Sequence, residues 1–392
     1  MKKTGGFTLQ FWLLCLSSFL FFSSFNMMIP ELPDFLTGLG GAEYKGYIIS
    51  LFTLSAAISR PFSGRLADTI GRIPVMVIGA GVCFIMGFIY PAVGSVTAFL
   101  LLRFFHGFST GFKPTGTSAY VADIVPVERR GEAMGMLGVF GSLGIAAGPA
   151  VGGIIATAIS QNAMFYTSSV FAIMSVIILL GMTETVAVKR PFTPSLLVIP
   201  LNEVFEPRVL GPSVVMLLSA YSFGVVLTII PDFSVHLGIM NKGLFFASFT
   251  ASSILVRVFA GKVSDRYGRI TVLRVSTLAV VFAMWFVGTS TGPVHFFTAG
   301  ALLGIAAGMN SPSIFAWTID LSHPLHRGRA MATMYIAMEI GIGIGALLSA
   351  YLFDNQAEKI PLAFNSGAFF ALIAFLYILL LYKPPKPVAD EA

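Results

Sequence analysis

Apolar stretches of roughly 18 to 25 residues recur along the whole chain, and they restrict its fold more than any other feature. Each is long enough to cross a hydrocarbon core of about 30 Å as an α-helix, because a helix rises about 1.5 Å per residue. Only 11% of the residues are charged and 56% are hydrophobic, so little polar sequence remains for a soluble domain. The sequence therefore predicts an all-α membrane protein.

Twelve spans are predicted, with an arrangement of charges that orients them. The spans are residues 8–29, 44–63, 74–91, 96–118, 133–158, 163–182, 209–230, 243–260, 271–290, 294–317, 330–352 and 361–382. Connections on the side opposite the N-terminus hold only three cations, Lys45, Lys242 and Lys359, whereas the other side holds most of the Lys and Arg. Positive residues stay in the cytoplasm, so both termini are expected there. The protein itself is expected in the inner membrane.

The second half of the chain repeats the first at an offset of 197 positions. The segment SRPFSGRLADTIGRI, residues 59–73, recurs as VRVFAGKVSDRYGRI, residues 256–270, with Arg60 matched by Arg257 and Asp68 by Asp265. Two pseudo-symmetric six-helix bundles are therefore predicted. They cover residues 1–183 and 209–392, and the charged stretch 184–208 forms a cytoplasmic loop between them. Substrate sites in such repeats lie near the interface of the halves.

Two motifs resemble those of a known family. The loop GRLADTIGRI is similar to the pattern G-x-L-a-D-r-x-G-r-k of the major facilitator superfamily, and GIAAGPAVGG, residues 144–153, is similar to the pattern g-x-x-x-G-P-x-x-G-G of its drug:proton antiporters. The chain resembles this family over nearly all its length, and is most like the twelve-helix antiporters. The resemblance implies a cytoplasmic gate in which Asp68 faces the N-terminal end of the eleventh helix.

The motif residues are expected to allow tight turns and close helix approach, since glycine has no side chain. The expected gate residues are the loop positions of both halves: Gly64, Arg65, Asp68, Gly71, Arg72, Gly261, Lys262, Asp265, Gly268 and Arg269. The expected packing residues of the antiporter motif are Gly144, Gly148, Pro149, Gly152 and Gly153.

The fourth span carries a stripe of polar residues. Arg103, His106, Thr110, Lys113 and Thr117 are spaced three and four apart, so they share one helix face. An Arg or Lys in mid-helix costs about 2.5 to 3.5 kcal/mol on insertion scales, so it usually faces a bundle interior or a water-filled cavity. We expect the stripe to line the transport pathway. Snorkelling to the outer interface remains open for Arg103, and simple packing remains open for His106.

Glu339, in YIAMEIGIGIG, is the one carboxylate in the middle of a predicted span, and it is the main candidate for carrying a proton. Glu31 and Asp34, at the end of the first span, are further candidates with His106, although ordinary loop carboxylates would also fit there. Polar and aromatic residues of several spans are expected to line the substrate cavity: Asn26, Arg103, His106, Thr110, Lys113, Asn310, Ser313, Trp317 and Tyr335.

These features predict a proton-coupled exporter of amphipathic or weakly cationic small molecules that works by alternating access. In this scheme the charge of Arg103 adjusts the pKa of Glu339. The alternative is a facilitator or importer of a small anionic metabolite or sugar bound by Arg103 and Lys113. An enzyme is not expected, because GFSTG, residues 107–111, lies inside a predicted span and not between a strand and a helix.

Protons, the substrate and the lipid bilayer are the expected partners of a monomer. A Walker-type ATP motif is absent from the sequence, so an ion gradient is the expected energy source. Cys15 and Cys83 lie inside predicted spans without residues at metal-ligand spacing, so neither a metal nor a cofactor is expected. The net charge of +6 comes from short loops that orient the protein, so no nucleic-acid partner is expected.

Overall fold

The computed structural model describes residues 7–126, 129–186, 188–199, 204–322 and 327–381, and nearly all of these residues are helical. Its long helices are α1 (Leu9–Met28), α2 (Lys45–Thr69), α3 (Arg72–Ile89), α4 (Val96–Ile124), α5 (Arg130–Ala158), α6 (Gln161–Leu180), α7 (Leu210–His236), α8 (Leu244–Tyr267), α9 (Arg269–Gly288), α10 (Pro293–Leu321), α11 (Arg327–Phe353) and α12 (Ile360–Leu376). The predicted all-α class is confirmed.

Each predicted span begins within a few residues of an observed helix, but several helices end later than predicted. The helices α2, α4, α7 and α8 continue to Thr69, Ile124, His236 and Tyr267. The apolar runs stop earlier, at polar residues that remain compatible with a helix. Hydropathy therefore located the spans but not their ends.

Serine caps and glycine turns set several helix boundaries. Ser95 and Ser160 accept hydrogen bonds from the backbone N–H groups of Ala98 and Ala163, and so begin α4 and α6. The turns after α2 and α8 contain Gly71 and Gly268, with φ angles of 126° and 86°. Side chains other than glycine rarely adopt such angles, so these two glycines are required by the backbone itself.

The two halves repeat the same packing. In the first half, α1 packs on α5 and α6, α2 on α4, and α3 on α4 and α6. In the second half, α7 packs on α11 and α12, α8 on α10, and α9 on α10 and α12. Between the halves, the main contacts are α2 with α11 and α5 with α8. The 197-residue sequence repeat is therefore a structural repeat.

Glycines of the antiporter-like motif make the close helix contacts expected of them. A Cβ atom at Gly144 or Gly148 would meet the α1 backbone at Phe19 or Ser23 at 2.6 and 2.5 Å, and Gly152 is as tightly placed against Met27. By contrast, a Cβ at Gly64 would meet nothing within 4 Å, so the close approach expected there is absent among the described residues.

The outer surface fits a bilayer. Nine helices in the described part of the chain are long and apolar enough to cross a membrane, and Leu244–Arg257 of α8 is a shorter apolar stretch. Large apolar side chains such as Leu101, Phe105, Ile177 and Phe282 are about half exposed or more. Apolar surface of this extent is suited to lipid.

The segment that joins the two halves is attached to the first of them. The Glu184 carboxylate accepts hydrogen bonds from the backbone N–H groups of Arg72 and Ile73, at the start of α3. The Leu196 side chain packs with Leu66 and Val75 and is 9% exposed. The first part of this connection is therefore part of the N-terminal bundle.

Candidate functional site

A buried ion pair joins the two halves. Arg60 of α2 donates from Nη2 to Oε1 of Glu339 of α11 at 2.5 Å, and each side chain is 6% exposed. The guanidinium carbon of Arg60 lies 4.5 Å from the centroid of the Tyr335 ring, one helical turn before Glu339. Tyr335 and Glu339 therefore hold the same cation, one by a cation–π contact and the other by a charged hydrogen bond.

Arg60 was missed as a site residue by sequence reasoning. The sequence indicated Glu339 and suggested Arg103 as its cation, whereas the structure pairs Glu339 with Arg60. A signal was present, because Arg60 is a cation inside a predicted span and recurs as Arg257.

Arg103 is buried inside the N-terminal half. Its Nε donates to the Ile48 carbonyl at 2.8 Å and its Nη1 to the Tyr90 hydroxyl at 3.2 Å. Its guanidinium carbon lies 4.6 Å from the centroid of the Phe52 ring. The side chain is 1% exposed, so in this conformation it is enclosed by protein and does not snorkel to the surface.

The rest of the polar stripe also has its partners in the N-terminal half. His106 lies between the Tyr90 hydroxyl, 3.4 Å from Nδ1, and the Cys83 sulfur, 3.3 Å from Nε2. Lys113 is 1% exposed, donates to Ser18 Oγ at 3.2 Å and lies 5.0 Å from the Phe21 ring centroid. The hydroxyls of Thr110 and Thr117 donate to carbonyls of α4 itself.

These contacts describe a polar interior between α1, α2, α3 and α4. The hydrogen-bond partners of both buried cations are neutral groups, which satisfy donors but do not balance charge. The spacing of three and four indicated one shared helix face, and the structure buries the side chains on it. Whether that face meets a water-filled pathway in another conformation stays a prediction.

The other predicted cavity residues lie in both halves. The Asn26 amide donates to the carbonyl of Phe22 within its own helix. In α10, the Asn310 amide donates to Ser219 Oγ at 3.3 Å, and Ser313 donates to the Met309 carbonyl. Trp317 is 4% exposed among apolar residues of the C-terminal half. Of the predicted cavity residues, Tyr335 is the one that the structure brings to Glu339 through their shared contact with Arg60.

Ion pairs close the space between the halves at the face opposite the termini. Lys242, before α8, donates to Glu31 Oε2 at 3.2 Å and also to Asp34, while Lys45 donates to Asp232 at 2.5 Å. Burial alone would lower the pKa of Lys242, but the two carboxylates outweigh burial and raise this pKa above its ordinary value. Glu31 and Asp34 are therefore joined by one charged lysine of the other half.

At the termini face, described ion pairs form within each half. Arg72 bonds to Asp68 and, at 3.1 Å, to Asp123, and Arg269 bonds to Asp320 at 3.2 Å. The Asp68 side chain is 71% exposed, and the contact shown for it is with Arg72, not with α11. Arg65 donates to the Val198 carbonyl at 2.5 Å. Gly261 and the side chains of Lys262 and Asp265 lie outside the described residues.

Comparison with known proteins identifies the family. The model of the Major Facilitator Superfamily matches residues 14–240 and 212–392, so the chain belongs to this superfamily of membrane transporters. It is a small-molecule transport protein and not an enzyme. The resemblance inferred from the two motifs is confirmed.

Several curated relatives are named as drug exporters. The multi-drug resistance efflux pump PmrA of Streptococcus pneumoniae is 27% identical over 349 residues, which are 84% of this chain and 86% of PmrA. Multidrug resistance protein 2 of Bacillus subtilis is 24% identical over 400 residues, covering 98% of each chain. The quinolone resistance protein NorA of Staphylococcus aureus is 29% identical over 170 residues, or 43% of each chain.

Solved transporters share the fold at low sequence identity. A D-xylose-proton symporter superposes with a TM-score of 0.77 and 16% identity, covering 95% of this chain and 97% of its own. The human organic anion transporter MFSD10 superposes with a TM-score of 0.74 and 17% identity, covering 94% of this chain and 98% of its own. Since their substrates differ, this likeness describes architecture and not cargo.

Proposed function

We propose that this transporter is a proton-coupled exporter of amphipathic or weakly cationic small molecules, working by alternating access as a monomer in the inner membrane. The names of its full-length relatives support export of drug-like compounds. The ion pair between Arg60 and Glu339 supports the coupling, because it joins the two halves that must move against each other.

Glu339 is proposed as the main proton carrier. When it is ionised, its carboxylate balances Arg60 across the interface between the halves. Protonation would leave the Arg60 charge buried without a counter-charge, which is strongly unfavourable, so the interface would loosen. Proton binding and movement of the halves would then be thermodynamically linked.

A cationic substrate fits the same residues. A positively charged cargo near Glu339 would be attracted by the carboxylate and by the face of the Tyr335 ring. Cargo and proton would therefore compete for one negative charge, which is the simplest basis for exchanging one for the other. Arg103, His106 and Lys113 would set the electrostatic potential of the N-terminal half.

The predicted topology determines which side of the membrane each face of the protein meets, and therefore the direction of transport. With both termini in the cytoplasm, the face closed by Lys242 and Lys45 is the outer one, so this arrangement would take up cargo from inside. Opening to the outside requires that Lys242 separate from Glu31 and Asp34. Protonation of these carboxylates would favour that step, and the gate loops around Asp68 and Asp265 would close the inner face.

Transport by reconstituted protein tests the coupling. Uptake of a cationic dye such as ethidium into proteoliposomes with an acidic lumen should stop when a protonophore collapses the pH gradient. Glu339→Gln should abolish the gradient-driven part of uptake. Glu358→Gln changes an exposed carboxylate at the face opposite the termini. This variant should behave as the unmodified protein and serves as the matched control. The coupling scheme is wrong if uptake ignores the gradient and Glu339→Gln transports normally.

Anion transport is the second candidate, and one observation favours it. Arg103 and Lys113 are buried cations with neutral hydrogen-bond partners, so an anionic substrate could supply the missing charge. Arg103→Lys should then weaken binding of organic acids while leaving proton coupling intact, because an ammonium lacks the bidentate fork of a guanidinium. A thermal-shift screen of amphipathic cations, sugars and organic acids at two pH values separates the two candidates.

A further inference from the structure

A cleft of about 450 Å³ lies between the two halves at the face opposite the termini. Glu43 and Lys45 line it from the N-terminal half, and Thr228, Asp232 and the end of α11 line it from the C-terminal half. Lys45 is 15 residues before Arg60 on α2 (60 minus 45), or about 22 Å along the helix axis. The cleft is therefore separate from the pair of Arg60 and Glu339.

Among the described residues, two that line this cleft, Thr228 and Asp232, each have a buried side-chain oxygen without a hydrogen-bond partner. Thr228 is 4% exposed, and its Oγ1 is unpaired. Asp232 follows one turn later on the same face of α7, and its Oδ2 is also unpaired, although its Oδ1 accepts from Lys45. Unpaired buried polar atoms are unfavourable. A ligand that donates hydrogen bonds would satisfy both.

The charge of the lining favours a cation. Its acids are Glu43, Asp232 and Asp354, and its bases are Lys45 and Lys359, so three negative charges face two positive ones. The C-terminal end of α11 beside the cleft carries partial negative charge, whereas α2 and α12 begin near it, at Lys45 and Ile360, with partial positive charge. The side-chain charges therefore decide the balance, and they favour a cation by one unit.

We propose that this cleft binds a small amphipathic primary ammonium ion. The ammonium group donates to Asp232 Oδ2 and Thr228 Oγ1, and its apolar part lies against Ala350 and Leu362, which also line the cleft. A quaternary ammonium has the charge but no N–H group, so it leaves both oxygen atoms unpaired. The site therefore discriminates by hydrogen bonding as well as by charge.

Occupancy of the cleft favours the closed state of this face. Because Glu43 and Lys45 of the N-terminal half also line the cleft, separating the halves there removes one of its walls. A ligand that binds one arrangement better shifts the protein towards it. The cleft is in this sense a control site and is distinct from the proposed transport site.

Isothermal titration calorimetry of the purified protein in detergent tests this site. Phenethylammonium is the probe, and phenethyltrimethylammonium is the matched compound without N–H groups. We expect the trimethyl compound to bind at least about tenfold more weakly, since a hydrogen bond to a charged group is involved. Thr228→Val should weaken phenethylammonium binding about tenfold, and Thr228→Ser, which keeps the hydroxyl, should restore it.

A control variant and Asp232→Asn complete the experiment. Thr289→Val removes a hydroxyl at the same face, after α9, and should leave the dissociation constant unchanged. Asp232→Asn should weaken binding more than Thr228→Val because it removes a full charge. Equal affinity for the two probes, unchanged affinity in Thr228→Val, or no binding of phenethylammonium would overturn the proposal. Binding that survives in Thr228→Val but is lost in Glu339→Gln would place the amine at the ion pair, so the cleft proposal would fail while the proposed function stands.

Discussion

The two interfaces between the halves are related by the sequence repeat, yet they are held together differently. Where α2 meets α11, Arg60 forms a buried ion pair with Glu339. Where α5 meets α8, the equivalent positions are Arg257 and Ser142, and the bond shown for Arg257 is to Ser253 of its own helix at 3.3 Å. Duplication supplied both arginines, but only the first interface has a carboxylate at the matching position.

Close backbone packing takes the place of charge in the second interface. A Cβ at Gly243 would collide with the backbone of Pro149, and the amide of Asn241 donates to the Ala150 carbonyl at 3.2 Å. Such contacts do not depend on pH. The ion pair proposed to carry proton sensitivity therefore has no counterpart at the equivalent positions of the second interface.

Breaking the ion pair should have the largest effect. Glu339→Leu leaves Arg60 buried without its partner, which should destabilise the protein by about 3 to 5 kcal/mol. The double variant Arg60→Met with Glu339→Leu should recover most of that stability while losing gradient-driven transport. Denaturant unfolding in detergent measures the first effect and dye uptake the second. A double variant no more stable than Glu339→Leu would show that the pair is not the origin of the loss.

Disturbing the packed interface should have the next largest effect. Gly243→Ala forces its new methyl group into the backbone of Pro149 and should cost about 1 to 3 kcal/mol. Gly138→Ala, on α5 where a Cβ meets nothing within 4 Å, is the control and should not destabilise. Proton coupling should survive in Gly243→Ala if coupling belongs to the other interface. Loss of coupling in this variant would remove the distinction between the two interfaces.

Giving Arg257 a partner should make the interfaces more alike. Ser142→Glu places a carboxylate at the repeat position of Glu339. In a double-mutant cycle with Arg257→Met, we expect a favourable coupling of about 0.5 to 3 kcal/mol. Unfolding measurements on the four proteins give this value. A coupling near zero would mean that the second interface does not bring the two positions together as the first one does.

Removing Lys242 should have the smallest effect. Lys242→Met should destabilise the closed face by about 1 kcal/mol, since Asp34 is more than half exposed and buried Glu31, whose pKa burial raises, can take up a proton when Lys242 is absent. Because the pKa of Lys242 is raised in the folded protein, its stabilisation is fully present below the ordinary lysine pKa of about 10.4 and is lost as pH rises through the higher value. Spin-label distances across this face should therefore lengthen in alkali for the unmodified protein and be insensitive to that change in Lys242→Met. The same alkaline opening in both proteins would exclude Lys242 as its cause.

Local patterns predicted what depends on local structure. Apolar length located the helices, the offset of 197 residues identified the repeated unit, and glycine spacing indicated which face of α5 contacts α1. The loop glycines Gly71 and Gly268 have the positive φ angles that such turns require. Each of these features follows from a single segment of the chain or from the likeness of two segments.

Pairing between the halves was not predictable in the same way. Arg60 and Glu339 are 279 residues apart, and Lys242 is 211 residues from Glu31. Helical periodicity determines the face that a residue occupies, but it does not determine the rotation of one bundle against the other. For the same reason, the stripe containing Arg103 could be assigned to one helix face, while its neighbours became known only from the structure, and its place along the transport pathway stays a prediction.

The attachment of the connecting segment to the N-terminal bundle determines what a probe placed there would report. Leu196 packs against α2 and α3, and Glu184 is bonded to the start of α3. The neighbouring Ser195 should therefore move together with the N-terminal bundle. With a fluorophore at Ser195 and an acceptor dye on the C-terminal bundle, movement of one bundle relative to the other would change the efficiency of energy transfer. A label on the connecting segment would therefore report the position of the N-terminal bundle relative to the C-terminal one.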